Sequence, residues 1–515
     1  MTKIGSMALA LLCTATMAHA QQPLTLVEAT ARALSRNPDI RIARDDVEAA
    51  GARELSASGS YDPRLHAEGG DHYHRDPIIT LFSGAPPGSL SPWENDLTSS
   101  VSLTQLFKSG ATASASASVA RDTTNNIFTL FTPAFLTSFG AQARQPLMRG
   151  FRTDTARTNL VITALDKNRA GAVLTQQIQD TVAAVERAYW ALIEAQREVA
   201  VRQASVALAE QQRVDTQARI DARTAAALDI AQPVAEIERR RGDLFASQET
   251  AARAERTLKL LMTDDPGDPI WSQMFVPSET VNIESKPVDL QRALADAMTH
   301  RPELAALGAD VSVAEAQVAL AKDSLRPQVD FVAGYTMRGL AGAKNTDVLA
   351  FFPGVPTDLP LPLAGDLIKS WRTMVEQRFP DASASVQVDI PLGRRQAKGD
   401  LGVAQVQQRD ASLRLQQLRD RVMVDVLNAS TALETAASRI QAARAGLQAA
   451  TTQLQAEQDR FNAGTSTNFL VLTRQNDLAQ AQLTEIAAAT QYRQALADFA
   501  RATGMILVDR GITVN

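Results

Sequence analysis

Apolar residues recur along this 515-residue chain with two different periods, and the two periods occupy separate blocks. Val185, Leu192, Val199, Val206 and Ile220 stand on a seven-residue ladder interrupted by Arg213. Val426, Leu433, Ile440, Leu447, Leu454 and Phe461 repeat it 241 positions later. A seven-residue apolar period over about five heptads keeps one seam of a helix facing a partner helix, so both blocks predict coiled-coil helices. The first, from about Thr155 to Ile220, would be roughly 100 Å long at 1.5 Å per residue. Elsewhere the period falls to two. Ala111, Ala113, Ala115, Ala117 and Val119 alternate with Thr112, Ser114, Ser116 and Ser118; Ala382, Ala384, Val386, Val388 and Ile390 alternate with Ser383, Ser385, Gln387 and Asp389. Strands of about ten residues with one apolar and one polar face fit a barrel with lipid outside and water inside, and equally a soluble sheet with one solvated face.

The blocks are duplicated. LTLVEATARALSRNPDI from Leu24 and VDLQRALADAMTHRPEL from Val288 align with Leu26 on Leu290, Ala33 on Ala297 and Pro38 on Pro302, a constant offset of 264. After each ladder the chain turns at comparable segments, QARIDARTAAALDIAQ from Gln217 and QDRFNAGTSTNFLVLT from Gln458, and returns as a second helix. The expected order is a signal peptide over 1–20, then repeat 1 with a helix over 21–62, strands within 63–147 and a helical hairpin over 148–262. A linker over 263–286 leads to repeat 2, with a helix over 287–326, strands within 327–391, a hairpin over 392–504 and a tail over 505–515. The fold class is α+β, mainly α, with two strand-and-hairpin repeats threaded together and no separable domains.

Four strands are expected in the first repeat (63–75, 97–107, 111–122, 135–147) and two in the second (328–337, 381–391). Lys108-Ser109-Gly110 makes a short turn at one end; 77–95, 123–134 and 339–379 are long loops at the other, as in outer-membrane barrels. The segment 366–377 reads as a short amphipathic helix that either caps the outer mouth or forms a variable surface loop. Six strands are too few for a wide channel, and an open edge in lipid costs several kcal/mol per unpaired group. A ring of identical chains closes the sheet, and threefold symmetry gives 12 strands if one hairpin stays out or 18 if all six enter.

Composition narrows the chemistry. Lys and Arg number 52 against 57 Asp and Glu, a formal charge of -5 without a basic block, which argues against a nucleic-acid partner. The single cysteine, Cys13, lies in an apolar stretch after Lys3 that ends in Ala18-His19-Ala20, a secretory signal pattern; Leu12 stands where a lipoprotein needs a small residue. Beyond it, no apolar run approaches the 18 or so residues of a membrane helix. No phosphate-binding loop, H-E-x-x-H, G-x-S-x-G or G-x-G-x-x-G occurs, so neither an enzyme nor a bound fuel is expected, and no cofactor. His66, His72 and His74 share a strand face with Glu68, close to Asp71 and Asp76 in sequence; that spacing can serve a metal but is also what a water-facing strand shows, and no metal is expected.

Taken together, the doubled LTLVEATARALSRNPDI motif, the strand-to-helix junctions QPLMRGF (Gln145 to Phe151) and IPLGRRQ (Ile390 to Gln396), and FNAGTSTNFL resemble the TolC-like outer-membrane efflux proteins over essentially the whole chain. The resemblance implies a homotrimeric β-barrel in outer-membrane lipid, continued by a periplasmic α-barrel. It implies a passive exit duct of a tripartite efflux or type I secretion system, docked on a periplasmic adaptor and fed by an inner-membrane transporter of RND, ABC or MFS type. The helical tips that would meet the adaptor carry Arg223 and Thr224 in the first hairpin and Gly464 and Thr465 in the second, with Arg223 in place of the usual glycine. Asp229 falls on the family's aperture-locking aspartate. Its usual aromatic and basic partners read Phe461 and Ser466, and the acidic pair of the second hairpin reads Leu470 and Thr473, so Phe461, Phe469 and Leu470 are the expected apolar contacts of a closed gate. Packing of the turn alone is the competing role. A soluble periplasmic coiled-coil scaffold is the alternative for the whole chain.

Overall fold

A computed structural model describes residues 21–78, 82–224, 226–279, 288–348 and 363–513. The expected signal peptide lies outside the described residues, as do parts of the linker and of the long loop in repeat 2.

In chain order the elements are β1 (Gln21–Leu24), α1 (Leu26–Arg36), α2 (Pro38–Ser58), β2 (Arg64–Arg75), β3 (Trp93–Leu106), β4 (Thr112–Thr124), β5 (Phe131–Pro146), α3 (Thr155–Asp221) and α4 (Ala231–Met262). The second repeat follows with β6 (Met274–Pro277), α5 (Leu290–His300), α6 (Pro302–Asp323), β7 (Gln328–Lys344), α7 (Leu367–Val375), β8 (Phe379–Asp389), α8 (Arg395–Asn462), α9 (Asn468–Ala502) and α10 (Ile506–Asp509). The duplication extends to single capping atoms. Thr25 and Asp289, 264 residues apart, cap α1 and α5 by accepting the amides of Glu28 and Arg292. Both helices end three residues after a buried alanine, where the Asn37 and Arg301 amides return to the Ala33 and Ala297 carbonyls, and a proline opens the next helix.

The chain divides into two compact units, each assembled from pieces of both repeats. This corrects the expectation of an indivisible chain: the repeats are interleaved, and the compact units cut across them.

The first unit comprises residues 21–48, 169–308 and 414–513 of the described chain. Most of both heptad ladders is buried here: Val185, Leu192, Val426 and Ile440 are at most 1% exposed, while Val199, Ile220 and Leu447 are half-buried. Fully burying such a side chain contributes about 1.5–3 kcal/mol, so the seams hold the helices without help from propensity. Two elements are absent from the sequence reading. β1 pairs in parallel with β6, Gln21 opposite Met274 through Leu24 opposite Pro277. The segment read as a tail carries α10, whose Ile506 and Leu507 are buried with Ile40, Leu174 and Val182.

Asp268 ties α1 to the linker. Its buried carboxylate accepts from Arg32 at 2.8 Å, Arg36 at 3.1 Å, Thr263 at 2.9 Å and the Ile270 amide at 3.0 Å. The Ile270 amide first, then the Arg32 and Thr263 hydrogen bonds, pull its pKa down to about 2. A carboxyl depressed in the folded state stabilises above its unfolded pKa of about 4, and that contribution is lost as pH falls from about 4 towards 2. Hydrogen exchange of α1 and residues 263–277 is therefore expected to be unchanged between pH 7 and 5, after correction for intrinsic rates. It should accelerate between pH 4 and 2.5, with Asp268→Asn showing the faster exchange at every pH.

The second unit holds one six-stranded antiparallel sheet in the order β2-β3-β4-β5-β7-β8. The six strands coincide with the six alternating segments, and several run further towards the long-loop end. One described helix, α6, is apolar and long enough to cross a membrane by composition, against the expectation that no such run existed. Asp310 and Glu315 interrupt its apolar run. An Ala- and Val-rich helix of this kind offers a smooth surface for close packing.

Candidate functional site

The sheet has two chemically distinct faces. Register places His66, Ser102, Ser116, Gly140, Thr336 and Asp381 in one row across all six strands, and the next row on that face runs Glu68, Ser100, Ser118, Ser138, Arg338 and, at the end of β8, Phe379. On the opposite face the rows read Leu65, Leu103, Ala115, Ala141, Tyr335, Ala382, then Ala67, Val101, Ala117, Phe139, Met337, Pro380. Along β7 the apolar face runs from Val329 to Gly339, ten residue steps. At about 3.4 Å per residue and a tilt of about 40° this covers about 26 Å, the height of the apolar band of an outer-membrane barrel. Tyr73 and Trp93 stack on this face at the loop end, ring centroids 6.3 Å apart, where an aromatic girdle is expected.

Both sheet edges, β2 and β8, are open and exposed along their length. Strand directions alternate across the sheet, so the two open edges run antiparallel to one another.

The histidines lie on the polar face, as their spacing implied. The His72 and His74 rings stack at 5.2 Å, and His74 Nε2 is 3.5 Å from Glu94. Among the described residues no group of three or more His, Cys, Asp or Glu side chains is disposed to hold a metal ion. Asp71 belongs to the opposite face.

The two helical tips are built on one plan. α3 ends with the Arg223 amide donating to the Ile220 carbonyl (2.9 Å) and the Thr224 amide to the Arg219 carbonyl (2.9 Å). α8 ends with Gly464 to Phe461 (3.1 Å) and Thr465 to Arg460 (2.9 Å), the same bonds shifted by 241 residues. This is the paired closure that satisfies the last carbonyls of a helix, and it demands a left-handed residue just past the cap. Gly464 adopts φ 76° at no steric cost; Arg223 is forced to φ 63°. A side chain in that region costs roughly 1–2 kcal/mol. Arg223→Gly is expected to stabilise the first tip by about 1 kcal/mol, read as about fivefold slower hydrogen exchange of the Thr224 amide.

Of the residues named for the gate, Asp229 is exposed and caps its own turn, its carboxylate accepting the Ala226 amide at 3.0 Å. Phe461 is buried under the Arg219 guanidinium, 3.7 Å above its ring, and Arg219 also donates to the Phe461 carbonyl. Phe461 thus welds the two tips of one chain together. Phe469 and Leu470 are 59% and 39% exposed, and Ser466 is hydrogen-bonded to the buried Glu457.

Sequence reasoning passed over the residue that joins the hairpins above the tips. Arg240, on α4, is 2% exposed; it pairs with Glu236 at 2.7 Å and donates to the carbonyls of Ser205 on α3 and Leu472 on α9 and to Gln475. It sits in a run of three arginines that reads as a solvated face. The available signal was its place between Ile237 and Leu244, inside the seam of the returning helix, where a polar residue fixes register.

Residues 293–505 match the profile of the outer membrane efflux protein family. Solved structures share the fold across nearly the whole chain. The CmeC outer membrane channel of Campylobacter jejuni is 12% identical with a TM-score of 0.65, over 93% of this chain and 86% of that one. The outer membrane protein VceC of Vibrio cholerae is 15% identical with a TM-score of 0.63, over 93% and 96% respectively. The open state of the MtrE outer membrane channel of Neisseria gonorrhoeae is 17% identical with a TM-score of 0.60, over 94% and 89%. No curated protein matches the chain significantly.

Proposed function

We propose that this chain, with its outer membrane efflux protein region over 293–505, is the outer-membrane exit duct of a tripartite efflux or secretion system. The observation that carries the reading is the two-faced sheet with both edges open: it satisfies its backbone groups only when copies close it, with a polar lumen inside and an apolar band of membrane height outside. Three copies, with all six strands in one sheet, make a barrel of 18 strands, an even number and antiparallel throughout. The duct is passive; the chain has no nucleotide-binding motif, and energy enters from an inner-membrane transporter joined through an adaptor. Arg223, Thr224, Gly464 and Thr465 form the surface offered to that adaptor, and Phe469 and Leu470, the exposed apolar residues beside the second tip, narrow the aperture with Asp229.

Fractionation with planar-bilayer recording tests the duct. The purified protein should enter the outer-membrane fraction as a heat-modifiable trimer and conduct ions; recovery in the soluble periplasm without a trimer overturns it and favours the scaffold. For the gate, Asp229→Ala is expected to raise single-channel conductance and leakage of a large antibiotic. Unchanged values of both would leave Asp229 with its capping role alone.

A further inference from the structure

The helix α7 is amphipathic in the wrong sense for water. Its inward stripe, Ser370, Thr373 and Met374, is buried against β5 and β7, and two of those three residues are hydroxyl-bearing. Ser370 Oγ lies 3.0 Å from Thr137 Oγ1, and Thr373 Oγ1 accepts the Leu340 amide at 3.1 Å. Glycine makes the contact possible: a Cβ on Gly339 would overlap the Ser370 carbonyl and the Met374 side chain. The outward stripe is Ile368, Trp371 and Val375, exposed by 71%, 37% and 69%. Those three positions fall within about 60° of one another at 100° per residue, with Arg372 and Lys369 on one flank. A helix in water buries its apolar stripe and exposes its polar one; α7 does the reverse.

Its place on the sheet accounts for this. Thr137 and Gly339 are paired on the face that carries Phe139, Met337 and Tyr335, and Tyr335 Oη bonds Gln377 just past the helix. So α7 lies on the apolar side of the sheet, next to the loop end, and its outward stripe continues the band of Val329, Phe331, Ala333 and Tyr335.

We infer that α7 is an interfacial anchor: it buries Ile368, Trp371 and Val375 among the acyl chains of membrane lipids and sets Lys369 and Arg372 against their phosphate headgroups. The inference rests on the outer-membrane reading above and adds to it a specific lipid contact. A tryptophan flanked by basic side chains, on an apolar surface without a partner among the described residues, is the pattern of residues held at the lipid-water boundary. Of the two positions the sequence left open for this segment, over the mouth or in a surface loop, α7 takes neither: it lies along the wall.

The absence of cysteine beyond Cys13 makes the test direct. In a Cys13→Ser background, nitroxide labels are placed singly at Ile368→Cys and Val375→Cys, with Ala384→Cys as the apolar-face reference and Ser385→Cys as the polar-face reference, and the assembled protein is reconstituted into vesicles containing phosphatidylglycerol. Labels at 368 and 375 should behave as the label at 384, colliding several-fold more with oxygen than with a water-soluble nickel complex, while 385 shows the reverse. Substituting Glu for Lys369 and Arg372 should shift the label at 368 towards water. The inference is overturned if 368 and 375 follow 385 while 384 reads lipid, if the charge reversal leaves 368 unmoved, or if spin coupling between labels at 368 shows a second copy covering the helix. A label at 384 that itself reads water removes the membrane reading, and the anchor with it.

Discussion

Ala384→Arg is expected to lower the stability of the assembled barrel by about 2–4 kcal/mol per copy, and Ser385→Arg, one residue on, to change it by less than about 1 kcal/mol. Ala384 pairs with Ala333 near the middle of the apolar band; Ser385 pairs with Val332 on the face of Ser116 and Thr336. In the proposed duct a guanidinium at mid-band would have no water and no partner, whereas on the polar face the lumen would solvate it. A lumenal arginine in every copy should instead shift the reversal potential in a salt gradient towards anions. Urea or heat midpoints of the trimer in lipid measure the first effect and planar bilayers the second. Equal destabilisation by the two substitutions would mean that the sheet has no lipid face.

That difference between adjacent residues is also what made the two-faced sheet legible in the sequence. Where a strand meets lipid on one side and water on the other, every residue is sorted by face, so Ala111–Val119 and Ala382–Ile390 declare a period of two without any tertiary information. The long helices were legible for the same reason, since a seam repeated every seven residues survives one mismatch such as Arg213. The 241-residue offset carried the first tip through to the second, down to the left-handed residue at 223 and 464. What stayed hidden depends on contacts distant in sequence. β1 and β6 are four residues each, too short to show a period, and they exist because they pair across 253 residues. Arg240, Asp268 and Glu186 read as surface charges because nothing local reports that a partner waits in another element. α7 was visible as an amphipathic segment, but its orientation was not, because a helix pattern does not say whether the apolar stripe looks in towards protein or out towards lipid.

Glu186 leads to the second large effect, in the helical unit. Its carboxylate, 2% exposed on α3 beside Val185 and Tyr189, is held by both arms of Arg510, at 2.6 and 2.8 Å, and that hydrogen bonding raises the pKa of the guanidinium. Arg510→Ala leaves a carboxylate in the core without a counter-charge, and removing one partner of a buried pair costs about 3–5 kcal/mol. The expected result is loss of the folded helical unit at moderate denaturant, with release of α10 and exposure of Ile506 and Leu507. The sign can be isolated: Glu186→Gln in the same chain removes the unpaired charge and should restore most of the loss, although it makes no ion pair. Glu186→Gln alone is expected to cost less than Arg510→Ala, because Arg510 is about one-third exposed and its guanidinium can turn to water. A double variant no more stable than Arg510→Ala would assign the loss to the aliphatic stem of Arg510 and away from the buried charge.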